Sequence, residues 1–259
     1  SDLAAMGAKP QAFHLAISLP KNTTQTWLEN FSSGLRACAD EYDISLVGGD
    51  TTASPTLVIS IQVQGLVPCG KALTRNNAQV DDQIWLSGEI GKSAAALANI
   101  LANPTAYLAK PVENTTTIID DQQDLAAAYY YPQAQIELGQ KLIGLASSAM
   151  DISDGLVQDA SHIAKSSNVC LNFSKADLPI SAAAITLHGY EQALQLALSG
   201  GDDYQLLFTA PAASQKALHK LGCYQVGLVE TLRSSDKNPT WVVLDGQSIE
   251  NKNSGYQHF

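Results

Sequence analysis

The chain has 259 residues and a mass of 27.5 kDa, with 45% hydrophobic and 15% charged residues. That length suits two domains of roughly 100–150 residues, and the balance excludes a disordered polymer. With 25 acidic against 15 basic residues, a net charge of −10 and a pI near 4.8, the chain is no general binder of nucleic acid or of anionic membrane surfaces.

In chain order, Ala12 to Leu19 reads as a strand closed by Pro20. Thr23 or Thr24 caps a helix to about Tyr42, with Trp27, Leu28, Phe31, Leu35 and Cys38 at helical spacing. Ile44 to Val47 is a short buried strand expected to end in a Gly48-Gly49-Asp50-Thr51-Thr52 turn. Leu57 to Leu66 alternates, with Ile59, Ile61 and Val63 on one face, and predicts a half-buried antiparallel strand. A domain boundary is expected near Arg75, dividing the chain into residues 1–75 and 76–259.

The second part continues with a strand at Ile84–Leu86 and a helix at Lys92–Ala102, then a looser stretch from Pro104 to Asp124. A helix from Pro132 to Leu145, a strand at Ala149–Ile152 and a helix at Gly155–Lys165 follow. Further strands are expected at Val169–Phe173, Tyr204–Phe208, Tyr224–Val229 and Trp241–Leu244, with helices between them. This alternation predicts a mixed α/β (α+β) fold in two domains. No apolar run approaches the ~18–20 residues that span a bilayer, and no leader opens the chain, so a cytoplasmic protein is expected. Cys38, Cys69, Cys170 and Cys223 lie too far apart for a zinc knuckle or redox dithiol and read as buried, reduced thiols.

The acidic residues are 17 Asp and 8 Glu. Asp favours caps, turns and metal-binding loops, and helix caps account for part of the surplus. Four segments join it to glycine or serine at a strand end: Ser1-Asp2, Gly48 to Thr52, Met150-Asp151-Ile152-Ser153-Asp154-Gly155-Leu156, and Ser199-Gly200-Gly201-Asp202-Asp203-Tyr204. Glycine admits close backbone approach, and aspartate offers the hard oxygen ligands that magnesium prefers. Each segment alone reads as a turn, and Asp154 alone as a cap for the helix after it; four together point to a site. GxxxxGK[ST], GxGxxG, HRD, DFG and GxSxG are all missing, so nucleotide phosphates would have to be held chiefly through metal ions.

The segments SDLAAMGAKP, GGDTT, ALTR (Ala72 to Arg75), MDISDGL, SGGDDYQLLF and the terminal GYQHF occur in this order and at these intervals along the whole chain. In them the sequence resembles the thiamine-monophosphate kinases of the aminoimidazole-ribonucleotide synthetase-like superfamily. The resemblance implies a two-domain fold whose N-terminal domain dimerises through its sheet, here expected to lack its first strands and two upstream acidic loops, one of them Gly-Asp-Asp-Ala. It implies transfer of the γ-phosphoryl group of ATP to thiamine phosphate, directly and in line, at a cluster of several magnesium ions, with potassium assisting. Asp2, Asp50, Asp151 and Asp154 are then magnesium ligands, Gly49, Asp50, Arg75 and Ser153 contact ATP, and Asp202 and Tyr256 contact thiamine phosphate. Asp202 departs from the family's usual Glu. No side-chain acid or base is expected, because the acceptor oxygen is already anionic near neutral pH. A homodimer is expected of the complete protein, and the 259 residues by themselves are expected to be inactive. Two superfamily relatives, a selenophosphate synthetase and a hydrogenase-maturation enzyme, and a silent nucleotide-binding or dimerisation module are the competing readings; the Gly255-Tyr256-Gln257-His258-Phe259 ending lacks the terminal cysteine of the second relative.

Overall fold

The computed structural model describes residues 1–102, 120–235 and 238–249. It divides into two compact units, one formed by Ala8–Gly70 and the other by Ser1–Gly7 together with Lys71–Phe259. The chain opens with a short helix, α1 (Asp2–Ala5), which belongs to the larger unit. Sequence reasoning grouped residues 1–75. In the structure Ala4, Ala5 and Leu73 join one of the larger unit's hydrophobic clusters, and this burial is what draws both flanking segments to that unit.

The smaller unit contains β1 (Lys9–Leu19), α2 (Gln25–Glu41), β2 (Ser45–Ala53) and β3 (Val58–Leu66). Its sheet runs β2-β1-β3, with β1 parallel to β2 and antiparallel to β3. Thr24 caps α2, its hydroxyl accepting from the Trp27 N–H at 3.2 Å. The strand expected to be buried at Ile44–Val47 is instead exposed along the whole of β2, and the Gly48 to Thr52 segment is not a turn. It continues β2, pairing Gly49 with Leu15 and Asp50 with Ala16. Gly49 permits this, since its φ is +151° and a Cβ there would lie 1.8 Å from the Leu15 carbonyl oxygen. Ile59, Ile61 and Val63 share a face as the alternation predicts, yet they stay 40%, 46% and 41% exposed. The half-buried face expected there is absent among the described residues, and α2 itself buries no residue.

The larger unit runs β4 (Gln83–Leu86), α3 (Lys92–Ala102), α4 (Asp121–Tyr130), α5 (Ile136–Leu142), β5 (Ser148–Asp151), α6 (Leu156–Ser167) and β6 (Val169–Phe173). It continues with α7 (Ala182–His188), α8 (Tyr190–Ser199), β7 (Leu206–Ala210), α9 (Gln215–Lys220) and β8 (Tyr224–Thr231). A small pair, β9 (Arg233–Ser235) and β10 (Asn238–Thr240), precedes β11 (Val242–Leu244) and β12 (Gln247–Ser248). Seven strands form one mixed sheet in the order β12-β11-β6-β8-β4-β7-β5.

The period-two alternation of strands divides the core between the two faces of that sheet. Ile84, Leu86, Leu171 and Val226 pack with Ile152, Leu156 and Ile163, whereas Trp85, Leu206 and Phe208 pack with Ala4, Ala5 and Leu142. Sequence reasoning missed α4 because only Leu125 of it is buried, which leaves no apolar stripe to read. The helix expected from Pro132 begins later, at Ile136. Of the cysteines expected to be buried, Cys170 and Cys223 are, whereas Cys38 and Cys69 are exposed. Among the described residues no helix is long and apolar enough to cross a membrane.

Candidate functional site

The acidic loops are carried by the ends of β5 and α8. β5 ends at Asp151, and the chain turns through Ile152 to Gly155 before α6 begins. The loop after α8 runs antiparallel to this turn and is laced to it through the backbone. The Asp202 N–H donates to the Ser153 carbonyl at 2.9 Å, the Tyr204 N–H to the Ile152 carbonyl at 2.8 Å, and the Ile152 N–H to the Gln205 carbonyl at 2.8 Å. This approach requires Gly201, whose Cβ, if present, would sit 2.3 Å from the Ser153 carbonyl oxygen.

A cleft of about 630 Å³ opens beside this pair of loops, lined by Asp2, Arg75, Asp151, Ser153, Asp154 and His162 among others. Four segments bring those residues together, α6 supplying His162. Helix α1 presents Asp2, and the Ser1 hydroxyl donates to the Asp151 carboxylate at 2.6 Å, tying α1 to the end of β5. The Ala72 to Arg75 segment is strapped beside β5, where the Thr74 carbonyl accepts from the Ala149 N–H at 3.2 Å and the Arg75 carbonyl from the Ser167 hydroxyl at 3.0 Å. The β5–α6 turn supplies Asp151, Ser153 and Asp154. Asp154 does not cap α6: the N-cap residue is Gly155, with no side-chain cap bond, and the Asp154 carboxylate accepts from the Gln158 amide at 3.2 Å.

Asp159, which sequence reasoning did not single out, organises the turn. Its Oδ2 accepts three backbone N–H groups, from Ser153 at 3.0 Å and from Asp154 and Gly155 at 3.1 Å each. It is 1% exposed. Burial pushes its carboxyl up to about 7, against the opposite pull of the three N–H donors. Its signal was legible: in α6 it falls on the same face as Leu156, Ala160 and Ile163, where a carboxylate is out of place unless it has partners. Asp203 was passed over in the same way. Its carboxylate accepts from the Gly91 N–H at 2.7 Å and the Ser93 N–H at 3.5 Å, and burial raises it to about 7. His162 was missed too. Desolvation first, then the charges of Arg75 and Lys165, lower its pKa, so the imidazole lining the cleft is held toward its neutral form.

Asp202 is exposed, on the loop laced to this turn, and accepts from the Tyr204 hydroxyl at 2.9 Å. Gly49 and Asp50 lie on β2 of the smaller unit, where the Asp50 carboxylate accepts from the Thr51 N–H at 2.8 Å. Tyr256 lies outside the described residues. Among the described residues no three His, Cys, Asp or Glu side chains already gather as a metal cage. A second depression of about 780 Å³, lined by Ser174, Asp177, His219 and Tyr224 among others, holds Asp177 as its sole carboxylate, so the acidic cleft is the better candidate despite its smaller volume.

The class of protein follows from the sheets and the acidic loops. A family model described as "AIR synthase related protein, N-terminal domain" matches residues 1–67. A thiamine-monophosphate kinase of Escherichia coli (strain K12) is 38% identical over 262 residues, which cover 100% of this chain and 77% of that protein. The crystal structure of thiamine-monophosphate kinase from Stenotrophomonas maltophilia K279a matches with a TM-score of 0.84 and 38% identity, over 96% of this chain and 76% of that one. A further structure, described as AaThiL complexed with AMPPCP and TMP, matches with a TM-score of 0.83 and 28% identity, over 99% of this chain and 76% of that one. The chain belongs to the thiamine-monophosphate kinase family.

Proposed function

We propose that this protein transfers the γ-phosphoryl group of ATP to thiamine phosphate, giving ADP and thiamine diphosphate. The observation that carries this reading is the gathering of Asp2, Asp151 and Asp154 on one cleft with Arg75 and Ser153. Its family supports the substrates: the relatives named above are thiamine-monophosphate kinases, and one neighbour was solved with AMPPCP and TMP.

The acceptor in such a reaction is a phosphate oxygen, anionic near neutral pH, so no residue must remove a proton. The barrier is instead the approach of two polyanions, which is lowered by positioning and by compensating positive charge. Arg75 offers a planar fork suited to paired phosphate oxygens. Asp2, Asp50, Asp151 and Asp154 would hold magnesium ions, and Gly49, Asp50, Arg75 and Ser153 would contact ATP. The carboxylate donor set fits magnesium, which takes one or two protein carboxylates and completes its shell with water and substrate phosphate. Bound there, magnesium would neutralise phosphate charge, and we infer several such ions with potassium assisting. Asp202 and Tyr256 would recognise the cationic thiazolium ring of thiamine phosphate, through a carboxylate and an aromatic face. The exposed Val58, Ile59, Ile61 and Val63 of β3 support a homodimer built on the smaller sheet.

The test is product formation from ATP and thiamine phosphate in a magnesium titration, with thiamine diphosphate resolved chromatographically. Transfer that depends on both substrates and on magnesium is expected of the full-length protein. Magnesium-dependent ATP consumption that ignores thiamine phosphate would overturn the choice of acceptor.

A further inference from the structure

We propose that Asp203 is a positioning residue for the acceptor substrate, holding Asp202 in the backbone conformation that presents its carboxylate; this rests on the role proposed above for Asp202. The loop carries a conformational oddity. Asp202 and Tyr204 both adopt left-handed backbone conformations, with φ of 63° and 51°, although neither is glycine. Such conformations persist only where the surroundings over-determine them, and they concentrate at ligand-binding turns. Between the two lies Asp203, the one side chain of the three that turns inward: it is 8% exposed, while Asp202 is exposed.

Asp203 does not reach the cleft. Its Oδ2 accepts from the Gly91 N–H at 2.7 Å, at the threshold of α3, and its Oδ1 from the Ser93 N–H at 3.5 Å in the first turn of that helix. The buried carboxylate thus moors the strained loop to free N–H groups at the start of an 11-residue helix. On the opposite side the loop is held by the backbone bonds from Asp202 to Ser153 and from Tyr204 to Ile152. The Tyr204 hydroxyl then donates to Asp202 Oδ1 at 2.9 Å, completing the support of the exposed carboxylate. With the mooring cut, the left-handed residues can relax, and the Asp202 carboxylate loses its fixed direction while Arg75 and the β5–α6 turn keep their other anchors.

The experiment compares steady-state kinetics of the full-length protein and its Asp203→Ala, Asp203→Asn, Asp202→Ala and Asp202→Ala/Asp203→Asn variants. Asp203→Ala is expected to raise the KM for thiamine phosphate about tenfold or more while the KM for ATP moves less than about twofold. Asp203→Asn, which keeps one acceptor oxygen for Gly91, is expected to fall between, and it carries the test alone if the alanine variant does not fold. In the Asp202→Ala background the Asn substitution should have almost no further effect on that KM, because the pair acts as a unit. An unchanged thiamine phosphate KM in an otherwise active enzyme, equal rises for both substrates, or an undiminished effect without Asp202 would each overturn the inference. A wild-type enzyme that ignores thiamine phosphate would instead overturn the function proposed above.

Discussion

Replacing Asp159 by alanine isolates the scaffold of the acidic turn from its chemistry. The carboxylate Oδ2 is the shared acceptor of the Ser153, Asp154 and Gly155 N–H groups. Gly155 is buried, so its N–H would be left unpaired at a cost of about 1–3 kcal/mol, whereas the half-buried Ser153 and Asp154 can turn to water and lose roughly 0.5 kcal/mol each. The total is about 2–4 kcal/mol, which for a unit of this size lowers Tm by roughly 5–15 °C. The pH matters to the sign. The folded-state carboxyl is raised to about 7 from 3.8, so the folded protein keeps a proton that the unfolded chain has released, and the stability this group contributes is lost as pH rises through about 7. This contribution is fully present only below about pH 3.8, so calorimetric melts of metal-free protein should show a larger gap between wild type and Asp159→Ala at about pH 6 than at about pH 8. A gap below about 2 °C at the lower pH, or one that widens toward the higher, would refute the reasoning.

Other expectations bear on the cleft and its supports. Asp154→Asn should abolish phosphoryl transfer while leaving the melting temperature within about 2 °C, since its carboxylate bonds only the Gln158 side chain among the described contacts; near wild-type activity at limiting magnesium would remove it from the metal site. Gly201→Ala should separate the two acidic loops, because a Cβ 2.3 Å from the Ser153 carbonyl forces the backbone apart, and a crystal structure or an amide-exchange map that leaves the Asp202–Ser153 bond protected would contradict this. Thr24→Ala should destabilise the smaller unit by about 1 kcal/mol through loss of the cap on Trp27, read as a lower denaturant midpoint at unchanged slope.

Local chemistry alone was enough to specify much of this protein. Composition, a helix cap at Thr23 or Thr24, the alternation of β3 and the glycine–aspartate segments were readable residue by residue, because each depends on near neighbours in the chain. The segments MDISDGL and SGGDDY were singled out separately, and their order and spacing placed the chain in its family. The tertiary structure decided what lies between such segments. It turned the Gly48 to Thr52 segment into strand, since pairing with β1 outweighed its turn-like composition. It drew α1 and Leu73 to the larger unit by burying them there. It also laced two loops about fifty residues apart along the chain into one surface, held by Asp159 from α6 and by the bonds of Asp203 to the start of α3, far earlier in the chain. Asp203 has the same chemical identity as Asp202 beside it, and only the packing of the fold sends one carboxylate into the interior and leaves the other in solvent.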